Sequence, residues 1–321
     1  MKQIIAIITI IVLSGVICAL AFMPVKKGLT KYYANNFGHL TEILESKTAY
    51  DMIFIGSSRT IYQIYPKIID SICSMNTFNA AITGARISDF DMILRGYLVN
   101  HPAPKVLVLN IDLLSFARKG EIRQYPEYYS FLNNEEVCHV LANYGYHPYL
   151  VKIFPFLAIM DLDDYNKENA LRLLRGKGEL ATPKAIASDK GFVSIDAMSP
   201  YVQGHERYPV YQESIATLNG LIKNCKKNRI KLIFIYSPEY NFQYQRVIIN
   251  ADSILAMITG IANINHIPYL RDDRLDLCKN RDLFWNESHL NKKGGIIYSA
   301  ILAKEINALL ADHPDTLNGS Y

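Results

Sequence analysis

Short apolar runs alternate with amphipathic stretches along most of the chain. The strand candidates are Met52–Ile55, Thr77–Ile82, Val106–Ile111, Leu232–Tyr236 and a short Ile267–Leu270. Each is rich in Ile, Val, Leu or Phe and lacks strict alternation of apolar and polar positions. That pattern suits strands buried on both faces of a parallel sheet. Helical periodicity fills the gaps. Ile215, Leu218, Ile222 and Cys225 share one face, as do Ile254, Ile258 and Ile261, and Tyr298, Leu302, Ile306 and Leu309. Pro66 suits the first turn of a helix over Lys67–Ser74. Ser88 with Asp91 three residues on reads as a capping box before "FDMILRGYLV". The alternation of β and α elements predicts an α/β fold.

Two regions depart from this rhythm. From Ile4 to Met23 the chain carries no charge, with Lys2 before the run and Lys26, Lys27 and Lys31 after it. At ~1.5 Å per residue a helix of this length crosses a ~30 Å hydrocarbon core. Residues 1–25 therefore read as a membrane anchor or, because Ala19-Leu20-Ala21 resembles a processing site, as a cleaved signal segment. Either reading puts the bulk of the chain outside the cytoplasm, membrane-anchored in the first case and secreted in the second. Residues 26–47 form a polar connector, 48–312 the main domain and 313–321 a tail. The second departure is an insertion at about 117–210, with little β pattern; ten of the 22 tyrosines fall in Tyr125–Tyr211. Short helices over Asn134–Tyr144 and Tyr165–Arg175 are expected there, in a lid or substrate-binding subdomain at the carboxyl edge of the sheet.

Composition narrows the function classes. Half the residues are apolar and 20% charged, as in a globular protein. A net charge of +4 without a basic, aromatic-interleaved stripe argues against nucleic acid as a partner. The five cysteines are far apart with no C-x-x-C, so zinc patterns are absent and isolated buried thiols are expected. No Walker A, G-x-G-x-x-G, H-E-x-x-H or G-x-S-x-G occurs, so neither a cofactor nor a metal is called for.

The chemistry-bearing stretch is "DMIFIGSSRT", residues 51–60, where a buried strand runs into two serines and an arginine. The loop is a plain polar turn or it holds up a nucleophile. A serine needs a base to take its proton. Among eight histidines, His289 in "LFWNESHLNKKGG" stands out, because Asn291 just after it suits the N-cap of the last helix. Acyl transfer also needs donors for the oxyanion. Gly84 in "FNAAITGARISD" can turn a backbone N–H toward such a pocket, and Asn79 or Asn110 can add a side-chain amide. Arg59 either places positive charge beside Ser58 or caps the following turn.

Gly56-Ser57-Ser58, Gly84 and His289-Leu290-Asn291, in this order, resemble the blocks of the SGNH (GDSL-like) hydrolase superfamily. The likeness is strongest to its membrane-anchored bacterial branch, which includes proteins of teichoic-acid D-alanylation and alginate O-acetylation. It covers about residues 48–116 and 212–310. It implies a three-layer α/β/α fold of flavodoxin-like type, with Ser58 as nucleophile and His289 as base. The Ser58 and Gly84 N–H groups and Asn110 would form the oxyanion hole. It further implies an extracytoplasmic esterase or O-acyltransferase working on acyl, most simply acetyl, esters of a cell-envelope glycan, a transferase taking its acyl group from a membrane partner. Two departures matter. Members carry aspartate three residues before the histidine, where this chain has Asn286, leaving a Ser–His dyad, a weakened enzyme, or a triad completed by Glu287 or Asp282. The spacing around Asn110 is also unfamiliar. The alternative is a tethered glycan-binding or assembly protein that keeps the fold and has lost catalysis.

Overall fold

The computed structural model describes residues 2–32, 34–117, 121–123, 125–155, 157–161, 189–196 and 204–311. The expected helix over Tyr165–Arg175 and the tail from 313 lie outside the described residues. Two helices lead in, α1 (Lys2–Tyr32) and α2 (Ala34–Leu44). The sheet strands are β1 (Met52–Ile55), β2 (Thr77–Asn79), β3 (Val106–Asn110), β4 (Lys231–Tyr236) and β5 (Tyr269–Arg271). They pair in the order β2-β1-β3-β4-β5, all parallel. This is a doubly wound order, whose chain reversal between β1 and β3 opens a crevice at the carboxyl ends of those strands. The connecting helices are α3 (Ser58–Gln63), α4 (Pro66–Cys73) and α5 (Ile87–Asn100). Next come α6 (Tyr125–Tyr128), α7 (Glu135–Asn143), α8 (Pro148–Ile153) and α9 (Leu157–Met160). The last four are α10 (Gln212–Lys227), α11 (Gln243–Val247), α12 (Ala251–Ile264) and α13 (Lys292–Ala311).

The unbroken apolar strands are buried on both faces, as their composition requires. Ile53, Ile55, Leu107, Leu109 and Phe234 enter one core with residues of α2, α5, α7, α10 and α12. Met52, Phe54, Val106, Val108, Ile233 and Ile235 enter the other with Ile69 of α4 and Tyr298, Leu302 and Ile306 of α13. Alternate side chains of one strand thus serve opposite helix layers. The described part of the insertion adds Ile122, Tyr128, Phe131, Val137 and Leu141 to the first core.

Some boundaries move for local reasons. β2 stops at Asn79, three residues earlier than expected, because the Asn79 amide turns the chain. Its Oδ1 accepts the Ala81 N–H at 3.2 Å, while Nδ2 donates to the Thr60 and Ile64 carbonyls at 2.7 and 2.9 Å. Ser88 lies inside α5, and the cap pair is Arg86 with Asp89, whose carboxylate accepts the Arg86 N–H at 2.9 Å. β5 begins after Pro268, which has no N–H to give but accepts the Phe234 N–H at 2.9 Å. One described helix, α13, is long and apolar enough to cross a membrane, yet Tyr298, Leu302, Ala303 and Ile306 are fully buried in the second core. The described apolar stretch of α1, Lys2–Cys18, falls short of that length, and its Ile4, Ile10 and Ile17 are exposed. All five cysteines are free thiols.

Three buried carboxyls set a pH signature. Burial pushes Asp89 and Glu239 up to about 7 and Asp272, which accepts a 2.6 Å hydrogen bond from the Tyr298 hydroxyl, up to about 8. Their folded-state pKa values exceed the unfolded ones. The stabilisation is therefore complete below about pH 4 and is lost as pH rises through 7–8. Thermal unfolding followed by circular dichroism is expected to show Tm falling by roughly 5–10 °C between pH 6 and 9. The fall becomes smaller in Asp272→Asn.

Candidate active site

The sheet edge decides between the two serines. Ser57 Oγ donates to Asp112 Oδ2 at 2.6 Å, just past β3, and the Ser57 side chain is buried. Ser58 opens α3, is half-buried, and holds its Oγ 2.9 Å from His289 Nε2. The turn that delivers both serines needs a glycine just before them. A Cβ on Gly56 would stand 2.0 Å from Thr60 Oγ1 and 3.0 Å from Asn110 Cβ. A side chain there would push α3 away from the end of β3.

His289 sits in a loop closed on itself. Trp285 N–H bonds the His289 carbonyl at 2.9 Å, and Phe284 and Leu290 form an antiparallel bridge. Asn291 caps α13 as its position implies, accepting the Gly294 N–H at 3.0 Å, and its amide donates to the Asp282 carbonyl at 2.8 Å. Gln63, at the end of α3, donates to the Ser288 carbonyl at 2.8 Å and to the Pro238 carbonyl at 3.2 Å. The helix of Ser58 thus grips the loop of His289 directly. Tyr62 and Trp285 pack their rings 5.6 and 5.4 Å from the imidazole.

The residue behind the imidazole is Asn286. Its Oδ1 accepts the Ser288 and His289 backbone N–H groups at 3.0 and 2.9 Å and lies 3.0 Å from His289 Nδ1. Two backbone donors orient the amide with its oxygen toward the ring. Nδ1 must then carry the proton, and Nε2 presents a lone pair to the Ser58 hydroxyl. Where an asparagine replaces a triad aspartate and turns its NH₂ to the histidine, the wrong tautomer costs ~10⁴ in turnover. Here the backbone holds the productive tautomer. Ser288 Oγ is also 3.0 Å from Nδ1. Neither carboxylate considered from the sequence occupies this place. Asp282 is exposed and meets the loop through its carbonyl, and the Glu287 carbonyl accepts the Tyr240 N–H at 2.8 Å.

An amide supplies no charge. Burial, helped by the nearby Arg59 guanidinium, pushes the His289 imidazole down to about 3. Arg59 is itself buried and does not cap its own turn. Its Nη2 donates to the Ser237 carbonyl and, at 3.3 Å, to that of Pro238, while the guanidinium stacks 4.4 Å above the Tyr236 ring. Burial works against its charge, but the Tyr236 ring and the carboxyl groups of Glu239 and Asp112 nearby hold it cationic.

The expected oxyanion donors are placed differently from one another. Ser58 is the first residue of its helix, so its N–H has no carbonyl four residues back in α3 to bond. Gly84 has φ +72°, a left-handed turn that a side chain would strain, and its loop is tied to Gly56 by a 3.1 Å bond from the Ile82 N–H. The Tyr62 hydroxyl bonds Thr83 in the same loop. Asn110 is buried at the end of β3 and locked to Ser237, donating to its Oγ at 2.9 Å and accepting its N–H at 3.3 Å. Asn79 has both amide hydrogens committed to the carbonyls of Thr60 in α3 and Ile64 just after it, and is no oxyanion donor. Gln63, Ser237 and Asp112 have no signal in the sequence beyond their nearness to strand ends.

No protein-family model matches the chain, and no curated protein matches it. The functional reading stands on the site itself.

In ¹⁵N-histidine NMR of the intact protein, the His289 ring is expected to stay neutral, protonated on Nδ1, down to at least about pH 4.5. Asn286→Asp places a carboxylate at the same position and is expected to raise the imidazole pKa by ~1–3 units.

Proposed function

We propose that this chain is an SGNH-type serine esterase or O-acyltransferase acting on acyl esters, most simply acetyl, of a cell-envelope glycan. The observation that carries the reading is the 2.9 Å contact between Ser58 Oγ and His289 Nε2, residues 231 apart in sequence. The ordered likeness of the Gly56-Ser57-Ser58, Gly84 and His289 segments to SGNH blocks supports the family, as does the parallel sheet that brings them to one edge. The apolar α1 is read as the anchor that keeps the main domain extracytoplasmic, and a membrane partner would supply the acyl donor of a transferase.

Ser58 Oγ bonds to the acyl carbon as its proton moves to His289 Nε2, and the carbonyl electrons move onto oxygen. The Ser58 and Gly84 N–H groups, with Asn110, are the proposed donors to that oxyanion; a key donor in such a hole is worth ~3–4 kcal/mol. Collapse of the intermediate breaks the bond to the alcohol, which leaves with the proton from Nε2. The acyl-enzyme is resolved when water or a sugar hydroxyl attacks and passes its proton through Nε2 back to Ser58. An imidazole with a pKa of about 3 is a weak base for the first step and, once protonated, a strong acid for expelling the alcohol.

A second reading has one observation in its favour: the group behind His289 is an uncharged amide. A fold that has lost turnover and retains glycan binding fits that feature.

A fluorophosphonate probe separates the two. The protein is expected to be labelled, with no labelling in Ser58→Ala and at least ~10³-fold slower labelling in His289→Ala. The labelling rate should be flat from about pH 5 to 8, without the acid limb near 6.5 of an ordinary histidine. Absence of both labelling and p-nitrophenyl acetate turnover would defeat the catalytic reading and favour the binding-protein one.

A further inference from the structure

An open groove of about 580 Å³ lies between α12, α11 and the carboxyl end of β5, within the size range of small-ligand sites. One wall is a single face of α12, with Asp252 near its start, Thr259 and Gly260 along it and Asn263 near its end. A Cβ on Gly260 would meet nothing within 4 Å, so this wall is low and the space above it is open.

The opposite wall is rigid and polar. Arg271 donates through Nε and Nη2 to the two Asp273 oxygens at 2.9 and 2.7 Å. Gln245 Nε2 ties Asp273 to Glu239 at 2.9 and 2.7 Å. Arg271 therefore stands in a fixed plane on the groove wall, and Arg274 beside it is exposed. Phe242 completes the wall. Both Asn241 and Phe242 are left-handed, with φ of 44° and 57°, an unfavourable state for residues with a Cβ. The chain holds this conformation where it leaves a phenyl ring 38% exposed on the wall. Such strain persists where the surroundings over-determine it, and it concentrates at ligand sites.

The groove is linked through buried side chains to the residue beside Ser58. Arg271 and Arg59 both stack on the Tyr236 ring, 5.5 and 4.4 Å from its centroid. One aromatic side chain separates the groove from the residue next to Ser58.

We propose that this groove is a saccharide subsite. An aromatic face, planar guanidinium donors, a carboxylate acceptor and amides around an open trough match a polyhydroxylated ring, which has an apolar face and a rim of donors and acceptors. The Phe242 ring carries the apolar face of a sugar. Arg271, Asp252 and Asn263 take its hydroxyls, and Arg274 adds attraction for an acidic unit. The choice of ligand rests on the glycan part of the function proposed above and is independent of catalysis.

The full chain in detergent is titrated calorimetrically with a β-1,4-linked N-acetylglucosamine pentamer and with an oligouronate of equal length. Saturable binding of both at Kd of about 1 mM or tighter is expected. Gly260→Tyr, which fills the trough without deleting a contact, and Phe242→Gly, which removes the ring while relaxing the backbone, should each weaken both by about tenfold. Phe242→Gly should not lower Tm. Arg274→Ala should weaken the oligouronate more than the neutral pentamer. No saturation by about 10 mM, or affinities unchanged in Gly260→Tyr and Phe242→Gly, would overturn the proposal. So would binding of the oligouronate alone that depends on Arg274 and not on Phe242, which would make the groove an anion site. Ser58→Ala should bind as the parent does. Saccharide binding without fluorophosphonate labelling therefore defeats only the catalytic reading, and labelling without binding defeats only the subsite.

Discussion

The carboxyl edge of this sheet converges on a single hydrogen bond between two distant segments, and that bond depends on the packing of the whole domain. Ser58 arrives on the turn after β1, and His289 arrives on the loop before α13. They meet because α13 packs on the same sheet face as α4, with Tyr298, Leu302 and Ile306 buried against Phe54, Val108 and Ile235. The approach is close. A Cβ at Gly294 would stand 2.1 Å from the Leu283 carbonyl oxygen, and one at Gly295 3.0 Å from that of Tyr62. Two adjacent glycines at the start of α13 let the helix press against both loops. Gln63 then fixes the last degree of freedom by holding the Ser288 carbonyl next to His289.

The charges around that bond are unusual for a serine–histidine pair. The amide of Asn286 gives the imidazole the tautomer it needs but no negative charge, and the nearest buried ion is the cation of Arg59. Before reaction such a site is poised toward negative charge. It disfavours imidazolium and favours an oxyanion. In the proposed acyl transfer, the barrier for proton removal from Ser58 would rise and the barrier for protonating the leaving alcohol would fall. The carboxylates in reach are used elsewhere: Asp112 accepts from Ser57, and Glu239 is held by Tyr236 and Gln245.

Much of the fold was legible because a strand buried on both faces must be apolar throughout. Met52–Ile55 reads that way at both ends, while β2 and β5 read less well because a side-chain amide and a proline redirect them. Ser58 and His289 were legible from strand-end and helix-cap chemistry, which is local. The part played by Asn286 was not. In sequence it is a missing charge. In space two backbone N–H groups aim its oxygen, and that aim decides the tautomer. Arg59 was ambiguous for the same reason, since its carbonyl partners at 237 and 238 belong to another strand end. The tyrosine-rich insertion gave no sign that its described part would join the first core, because short helices with mixed faces declare no direction until something is packed against them.

The helix that carries Ser58 shows why long-range contacts dominate. α3 has six residues, too few to be stable alone. Several distant segments hold it. Asn79 of β2 donates to the Thr60 and Ile64 carbonyls, and Val193 from the end of the insertion donates to Ile61. Ser299 of α13 accepts the Tyr65 N–H at 2.7 Å just beyond the helix, and Gln63 reaches the Pro238 and Ser288 carbonyls. Phe192 stacks on Tyr65 with centroids 4.5 Å apart, adding apolar contact beside the Val193 bond. Each of these groups is buried or half-buried, so losing one partner leaves a carbonyl or amide desolvated and unpaired. The geometry of Ser58 is therefore a property of the closed domain, and the insertion's return segment belongs to the scaffold of the site as much as the strands do.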